Sequence, residues 1–295
     1  MTVLIIGGSG FLGTELVRQA VAAGQQTAAT FASRPGKPSG VAWRPLDVRD
    51  PARVARVIAD VEPSVVLNVS SGQSDWAVTA DGAIRVALAA AEQGCRLVHV
   101  SSDAVFSGAH VRYDESSLPD PVSPYGAAKA AAETAVRLLV PGAVVARTSL
   151  VLGHGQSGHE RMVHDLAAGT RGGVLFTDDI RCPVHVEDLA AALWELALSD
   201  TAGVFHLAGP DALSRHDLGV LIARHQGLDG AQLPAGRRAD TNLPGALDVR
   251  LDSRATQDRL RTRLRGAHEF LREDDRSLQE PLVANEAVFG PARGG

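Results

Sequence analysis

This 295-residue chain holds only two tyrosines and two lysines, yet one of each stands four apart in Tyr125-Gly-Ala-Ala-Lys129. On a helix, positions i and i+4 share one face, so the phenol and the ammonium would project together. A phenol with its ordinary pKa of about 10 is a poor acid or base near neutrality; a neighbouring ammonium stabilises the phenolate and lowers that value. Such a pair can exchange a proton with a substrate oxygen. The alternative is a surface tyrosine beside a solvated lysine. Ser101-Ser102-Asp103 weighs against it, because these residues close an apolar run, Arg96 to Ser101, that reads as a parallel strand. In open α/β sheets, ligands sit at the carboxyl ends of such strands.

A second constellation is Gly7-Gly8-Ser9-Gly10-Phe11-Leu12-Gly13, between the apolar run Val3 to Ile6 and a helical pattern from Thr14 to Ala23. Glycines in that setting permit a tight turn, close backbone approach to a pyrophosphate and close packing of helix on sheet. The free N–H groups of the helix start then favour an anion. Gly7, Gly10, Phe11, Leu12 and Gly13 are therefore candidate dinucleotide-binding residues. An NAD site usually places an acid about 20 residues further on, for the ribose 2′-hydroxyl. Here Thr30-Phe31-Ala32-Ser33-Arg34 offers none. Arg34, with the Ser33 hydroxyl, can instead meet a 2′-phosphate, which selects NADP (as NADPH) over NAD.

The elements that must position these groups alternate in type. Strands are expected at Val3–Ile6, Thr27–Ala32, Ser64–Val69, Arg96–Ser101 and Ala143–Thr148. Helices are expected from Thr14 to Ala23, from Ala52 to Val61 behind Asp50-Pro51, from Ala83 to Gln93 and from Pro124 to Leu139. This alternation implies right-handed crossovers and an α/β, doubly wound parallel sheet of Rossmann type. Residues 1–150 form the dinucleotide-binding domain, and 182–209 return to it with a helix from His185 to Leu198 and a strand from Val204 to Ala208. The rest of 151–272 is a smaller C-terminal substrate-binding part, with a helix around Met162 to Ala168. Residues 273–295, polar and punctuated by Gly and Pro, read as a peripheral tail.

Composition narrows the function classes. A formal net charge of -5 leaves no basic excess for nucleic acid. No apolar run is long enough for a membrane span, and no secretory signal precedes the first strand. Two cysteines, Cys95 and Cys182, suit a reducing compartment, so a cytoplasmic protein is expected. His154, His159 and His164 lie five apart, a spacing that does not share a helix face, and no metal site is expected.

Glycine turn, strand-end serine and Y-x-x-x-K together resemble the extended short-chain dehydrogenase/reductases. His99-Val-Ser-Ser-Asp-Ala-Val-Phe-Ser-Gly108 and Ser123-Pro-Tyr-Gly-Ala-Ala-Lys129 are similar to the dTDP-4-dehydrorhamnose reductase branch. The resemblance implies Tyr125 as proton donor, Lys129 as its pKa-lowering and ribose-binding partner, and Ser102 as the hydroxyl that polarises the substrate carbonyl. It places Asp47 and Val48 near the adenine, Asn68 near the cofactor, and Arg181 on a substrate phosphate. The implied activity is NADPH-dependent reduction of a ketone in a small-molecule partner, a 4-keto-6-deoxy nucleoside-diphosphate sugar; whether the chain works as a homodimer stays open.

Leu150 and Leu152 stand where relatives carry Trp and Tyr, which suggests a more apolar pocket and reopens the possibility of a ketone without a nucleotide. Two rivals share the fold. A sugar-nucleotide epimerase or dehydratase would favour NAD and, for the dehydratase, a T-D-E triplet where this chain has Ser102-Asp103-Ala104. A non-catalytic NADP-binding subunit would have no need of Ser102, Tyr125 and Lys129 together.

Overall fold

The computed structural model describes residues 1–73 and 75–272. Its centre is a seven-stranded, wholly parallel sheet made of β1 (Val3–Ile6), β2 (Thr27–Phe31), β3 (Ala42–Pro45), β4 (Val65–Asn68), β5 (Arg96–Ser102), β6 (Val144–Thr148) and β7 (Gly203–Leu207). The strand order is β7-β6-β5-β4-β1-β2-β3. The chain changes direction of winding between β1 and β4, and the crevice above that switch point is where such sheets bind ligands.

The strands are continuous apolar runs because both faces are covered. Side chains alternate across a strand. Val3, Ile5, Leu67, Val98 and Val100 therefore pack on one face against α1 (Phe11–Ala22) and α6 (Val186–Ala197). Leu4, Ile6, Val66 and Leu97 pack on the other against α2 (Pro51–Val61), α3 (Gly82–Glu92) and α4 (Pro124–Leu139). Every residue of β1 is fully buried.

Asp50 caps α2 through its side chain, which accepts from the Arg53 N–H, and Pro51 opens the helix as expected. α1 begins at Phe11, three residues before the sequence pattern placed it, because Gly10 rather than a polar side chain occupies the cap position. β3 had no counterpart among the expected strands. It is an exposed edge strand ending in Pro45, so it lacks the apolar signature of its neighbours.

Beyond β6, α5 (Gly158–Ala167) and α7 (Arg215–Gln226) pack around Val163, Leu166, Leu175, Leu218 and Ile222. α5 starts four residues ahead of the expected helix. Ser157 and Glu160 form a reciprocal capping box that overrides the glycine-rich sequence around it. Two-residue ladders tie this part together, pairing 151–152 with 184–185, 175–176 with 235–236, and 180–181 with 213–214. The tail expected at 273–295 lies outside the described residues. Among the described residues no helix is long and apolar enough to cross a membrane.

Candidate active site

The glycine turn is shaped by contacts a side chain would destroy. A Cβ on Gly13 would lie 2.2 Å from the Gly7 carbonyl oxygen, and one on Gly8 would lie 2.7 Å from the Ala29 Cβ. Gly7 has φ +87° and donates its N–H to the Thr30 Oγ1 at 3.0 Å, so the end of β2 fixes the turn. Gly10 at the α1 cap contributes no side-chain bond, and no acid stands in the first turn. The helix start is thus open to an anion. Phe11 and Leu12 are half-buried just inside it. A cavity of about 280 Å³ there is lined by Ser9, Gly10, Phe11 and Thr14 and, from the C-terminal part, by His154, Gln156 and Arg161.

Ser33 and Arg34 are exposed just beyond the end of β2. Asp47 is engaged locally: its carboxylate accepts from the Arg49 backbone at 3.0 Å and from the Arg49 guanidinium at 2.7 Å, and Arg49 holds it below the usual carboxylate range. Val48 is buried against Gly82 at the start of α3. Asn68 closes β4, buried, with its Oδ1 accepting from the Ser70 N–H and hydroxyl.

Ser102 closes β5 and Tyr125 enters on the first turn of α4, whose cap is Ser123 and whose N1 residue is Pro124. The hydroxyls of Ser71 and Ser102 are hydrogen-bond partners of the phenol and pull its pKa down. Burial is the larger effect, and with Asp103 it leaves the phenol above its ordinary value. Lys129 is fully buried and donates from Nζ to the Val100 carbonyl at 3.0 Å, with its ammonium 6.0 Å from the Tyr125 ring centre. Burial lowers its pKa to about 8. The expected lowering of the phenol by Lys129 is therefore not seen in this arrangement: the ammonium is turned to a backbone carbonyl, and burial governs the phenol instead.

Arg181 has a different setting from the one the resemblance implied. Its guanidinium donates to the carbonyls of Ile180 at 2.7 Å, Leu247 at 3.1 Å and Ala246 at 2.8 Å, and pairs with Asp179 at 2.9 Å. Its Nε lies 3.6 Å from the Asp103 carboxylate. Arg215 and Arg238 reach the same Asp179 at 3.5 and 3.1 Å, so three guanidiniums converge on one buried carboxylate. Asp103 links this cluster to the site by accepting from Ser102 Oγ at 3.1 Å and Ser149 Oγ at 2.6 Å. Leu150 and Leu152, expected to line an apolar pocket, are instead core residues packed with α5 and α7.

Ser71, Asp103, Ser149, Asp179, Arg215 and Arg238 were not singled out as site residues in the sequence. Only Asp103 carried a signal, its adjacency to Ser102. A metal was not expected either, yet Glu15, His154 and Glu187 offer ligand atoms all within 4.8 Å of one another. Arg18 already meets both acids, at 2.6 and 3.5 Å. His159 and His164 are not part of that group.

Comparison with known proteins agrees with this architecture. The dTDP-4-dehydrorhamnose reductase of Mycobacterium tuberculosis is 33% identical over 244 residues, covering 77% of this chain and 76% of that protein. The spore coat polysaccharide biosynthesis protein SpsK of Bacillus subtilis is 28% identical, covering 78% and 81%. The crystal structure of dTDP-4-dehydrorhamnose reductase from Bacillus anthracis, in complex with NADP, superposes with a TM-score of 0.78 at 20% identity, covering 92% of this chain and 96% of that one. The family model described as RmlD substrate binding domain matches residues 1–269, and the chain belongs to that family.

Proposed function

We propose that this protein is an NADPH-dependent reductase of a ketone, with a 4-keto-6-deoxy nucleoside-diphosphate sugar as substrate. The observation that carries the reading is the meeting of Ser102 and Tyr125 at the carboxyl edge of the sheet, beside a glycine turn that leaves a helix start open. Relatives named dTDP-4-dehydrorhamnose reductase support the substrate class.

Gly7, Gly10, Phe11, Leu12 and Gly13 would hold the pyrophosphate, Ser33 and Arg34 the 2′-phosphate, Asp47 and Val48 the adenine end, and Asn68 and Lys129 the nicotinamide end. The fit rests on the turn itself, where a Cβ at Gly13 would fill the cradle. NADPH, when bound, supplies the hydride for the carbonyl carbon. Tyr125 gives its proton to the carbonyl oxygen, and the raised phenol pKa keeps that proton on the residue until it is needed. Ser102 steadies the developing negative charge with its hydroxyl. Lys129, one helical turn beyond Tyr125, keeps its ammonium on the Val100 carbonyl and would meet the ribose at the nicotinamide end.

Arg215 and Arg238, which share Asp179 with Arg181, are the candidates for pairing with a substrate diphosphate. Arg181 contributes by holding this cluster to Asp103, whereas Arg215 and Arg238 supply the field at the phosphates. Thermal shift in the presence of NADP tests the substrate class: dTDP or UDP should raise the midpoint. If neither binds at millimolar concentration while free keto compounds oxidise NADPH, the nucleotide sugar is the wrong substrate and the reductase remains.

A further inference from the structure

His99 lies on β5 with no exposed surface, directly opposite Asn68 on β4. Its Nδ1 is 3.3 Å from the Asn68 Nδ2. The protonation of the ring follows from the partners of that amide. The Asn68 oxygen accepts from the Ser70 N–H at 3.2 Å, and a backbone N–H can only donate, so the amide cannot be turned the other way. The Ser70 hydroxyl, at 2.7 Å, adds a second bond to the same oxygen. The NH2 group must then face His99, Nδ1 must be the bare acceptor, and the proton sits on Nε2. An imidazolium would set N–H against N–H. Burial and the nearby Lys129 also oppose it, holding the ring at a pKa of about 3.

Packing does not account for an imidazole here. Nε2 is buried and has no hydrogen-bond partner among the described residues, an orphan of its own that an apolar side chain would not bring. What the ring provides is a fixed acceptor for Asn68. From Asn68 the contacts lead straight into the site. Ser70 packs against the glycine turn backbone to backbone, since a Cβ on Gly7 would lie 2.9 Å from the Ser70 nitrogen and 3.0 Å from its Cα. The Val69 N–H also donates to the Ile6 carbonyl at 3.0 Å. Ser71, next in the chain, is a hydrogen-bond partner of the Tyr125 phenol.

We infer that His99 is a positioning residue: its Nδ1 fixes the Asn68 amide, which holds Ser70 against Gly7 and so sets the seam between the cofactor turn and the loop beside Tyr125. The inference rests on the NADPH reading for its kinetic consequence, but its structural content can be tested separately. In the protein labelled with 15N-histidine, NMR should show one ring with a pyridine-type Nδ1 and a pyrrole-type Nε2, assigned by its loss in His99→Gln, that does not titrate between about pH 5 and about pH 8. A proton on Nδ1, or a titration near the ordinary histidine value, overturns the inference whatever the cofactor.

His99→Leu should raise the KM and Kd for NADPH about tenfold, the scale of one lost hydrogen bond. His99→Gln, whose side-chain oxygen can accept from the amide, should recover most of that loss. The imidazole reaches the proposed cofactor site only through Asn68, so a merely structural loss, with that contact irrelevant, would lower the apparent kcat and leave KM unchanged. Asn68→Ala should lose at least as much as His99→Leu, and the double variant should be no worse than Asn68→Ala alone. Additive losses, or an unchanged KM in His99→Leu, overturn the inference. Wild-type protein that binds no NADPH refutes the proposed function instead, and the NMR result then decides this one alone.

Discussion

The proposed cofactor side of the crevice is made mostly of backbone, and the proposed substrate side is made of paired charges. On the first side, Gly7, Gly8 and Gly13 matter for the side chains they lack: a Cβ would strike the Ser70 backbone at Gly7, the Ala29 side chain at Gly8 and the Gly7 carbonyl at Gly13. On the second, Asp179 meets Arg181, Arg215 and Arg238, which arrive from three separate stretches of the chain. A backbone site is written in consecutive residues. A charge cluster is written only in the tertiary fold. The two sides should also fail differently: one loses a ligand, and the other loses its fold.

The largest effect should come from the charge cluster. Asp179→Ala would leave the buried Arg181 and the half-buried Arg215 and Arg238 without their shared carboxylate, and breaking a buried pair from one side costs about 3–5 kcal/mol. Denaturant unfolding should show that loss. A variant within about 1 kcal/mol of wild type would mean that the arginines relax to solvent and that the cluster is no more than a surface network. Arg181→Met should destabilise less, because it removes a charge and leaves Asp179 with two partners.

Next comes Tyr125→Phe, which changes the chemistry and leaves the helix intact. Turnover should fall by about 10²-fold or more with little change in NADPH affinity, because the lost proton acts chiefly in the transition state. Steady-state kinetics beside a cofactor titration checks both halves of the statement. Near-wild-type turnover would return Tyr125 to an ordinary tyrosine and remove its role as proton donor.

These two predictions also mark what the sequence could and could not disclose. Tyr125, Lys129 and Ser102 were legible because a four-residue helical spacing and a strand end are local patterns, and α4 and β5 formed where those patterns said. The turn from Gly7 to Gly13 was legible for the same reason. Asp179, Arg215 and Arg238 were not, since nothing local distinguishes them from other charged residues. Leu150 and Leu152 misled because a substitution relative to the family pattern was read as pocket lining, whereas the ladder of 151–152 with 184–185 turns this segment into the core beneath α5 and α7. β3 was missed because an edge strand needs no apolar alternation. The direction of the Tyr125 shift was also beyond local reading: proximity to Lys129 was visible, but burial of both groups was not.

Acid should separate the two sides more weakly. His99, beside Lys129, and His159, beside Arg215, are each held neutral with a pKa of about 3, and His206, beside Arg147, is lowered as well; burial is the main cause in each. Their unfolded-state value is near 6.5, so between about pH 6.5 and about pH 3 the unfolded chain binds protons that the native one does not. Stability should therefore fall as the pH drops through that window, by roughly 1–2 kcal/mol per histidine at about pH 5. Replacing His159 by Gln should flatten the slope between about pH 6 and about pH 5, with urea midpoints as the measurement. An unchanged slope would show that His159 is protonated in the native state and that Arg215 does not exclude the charge.

The smallest effect concerns Arg34, which lies on the cofactor side yet acts by charge as the substrate side does. It is exposed at the end of β2, so any contact it makes with a 2′-phosphate stays open to water and salt. A charge-assisted bond of that kind contributes about 1–3 kcal/mol, and exposure favours the lower figure. Arg34→Ala should accordingly weaken NADPH by about tenfold, leave NADH nearly untouched, and make NADPH binding less sensitive to ionic strength. The salt dependence is the sharper half of the test, because a guanidinium that only packs against the loop would change affinity without changing its response to salt. Equal weakening of NADPH and NADH would remove the 2′-phosphate assignment and with it the preference for NADP. It would leave the glycine turn as the whole of the cofactor side, a site of backbone alone, and so sharpen the contrast with the cluster around Asp179.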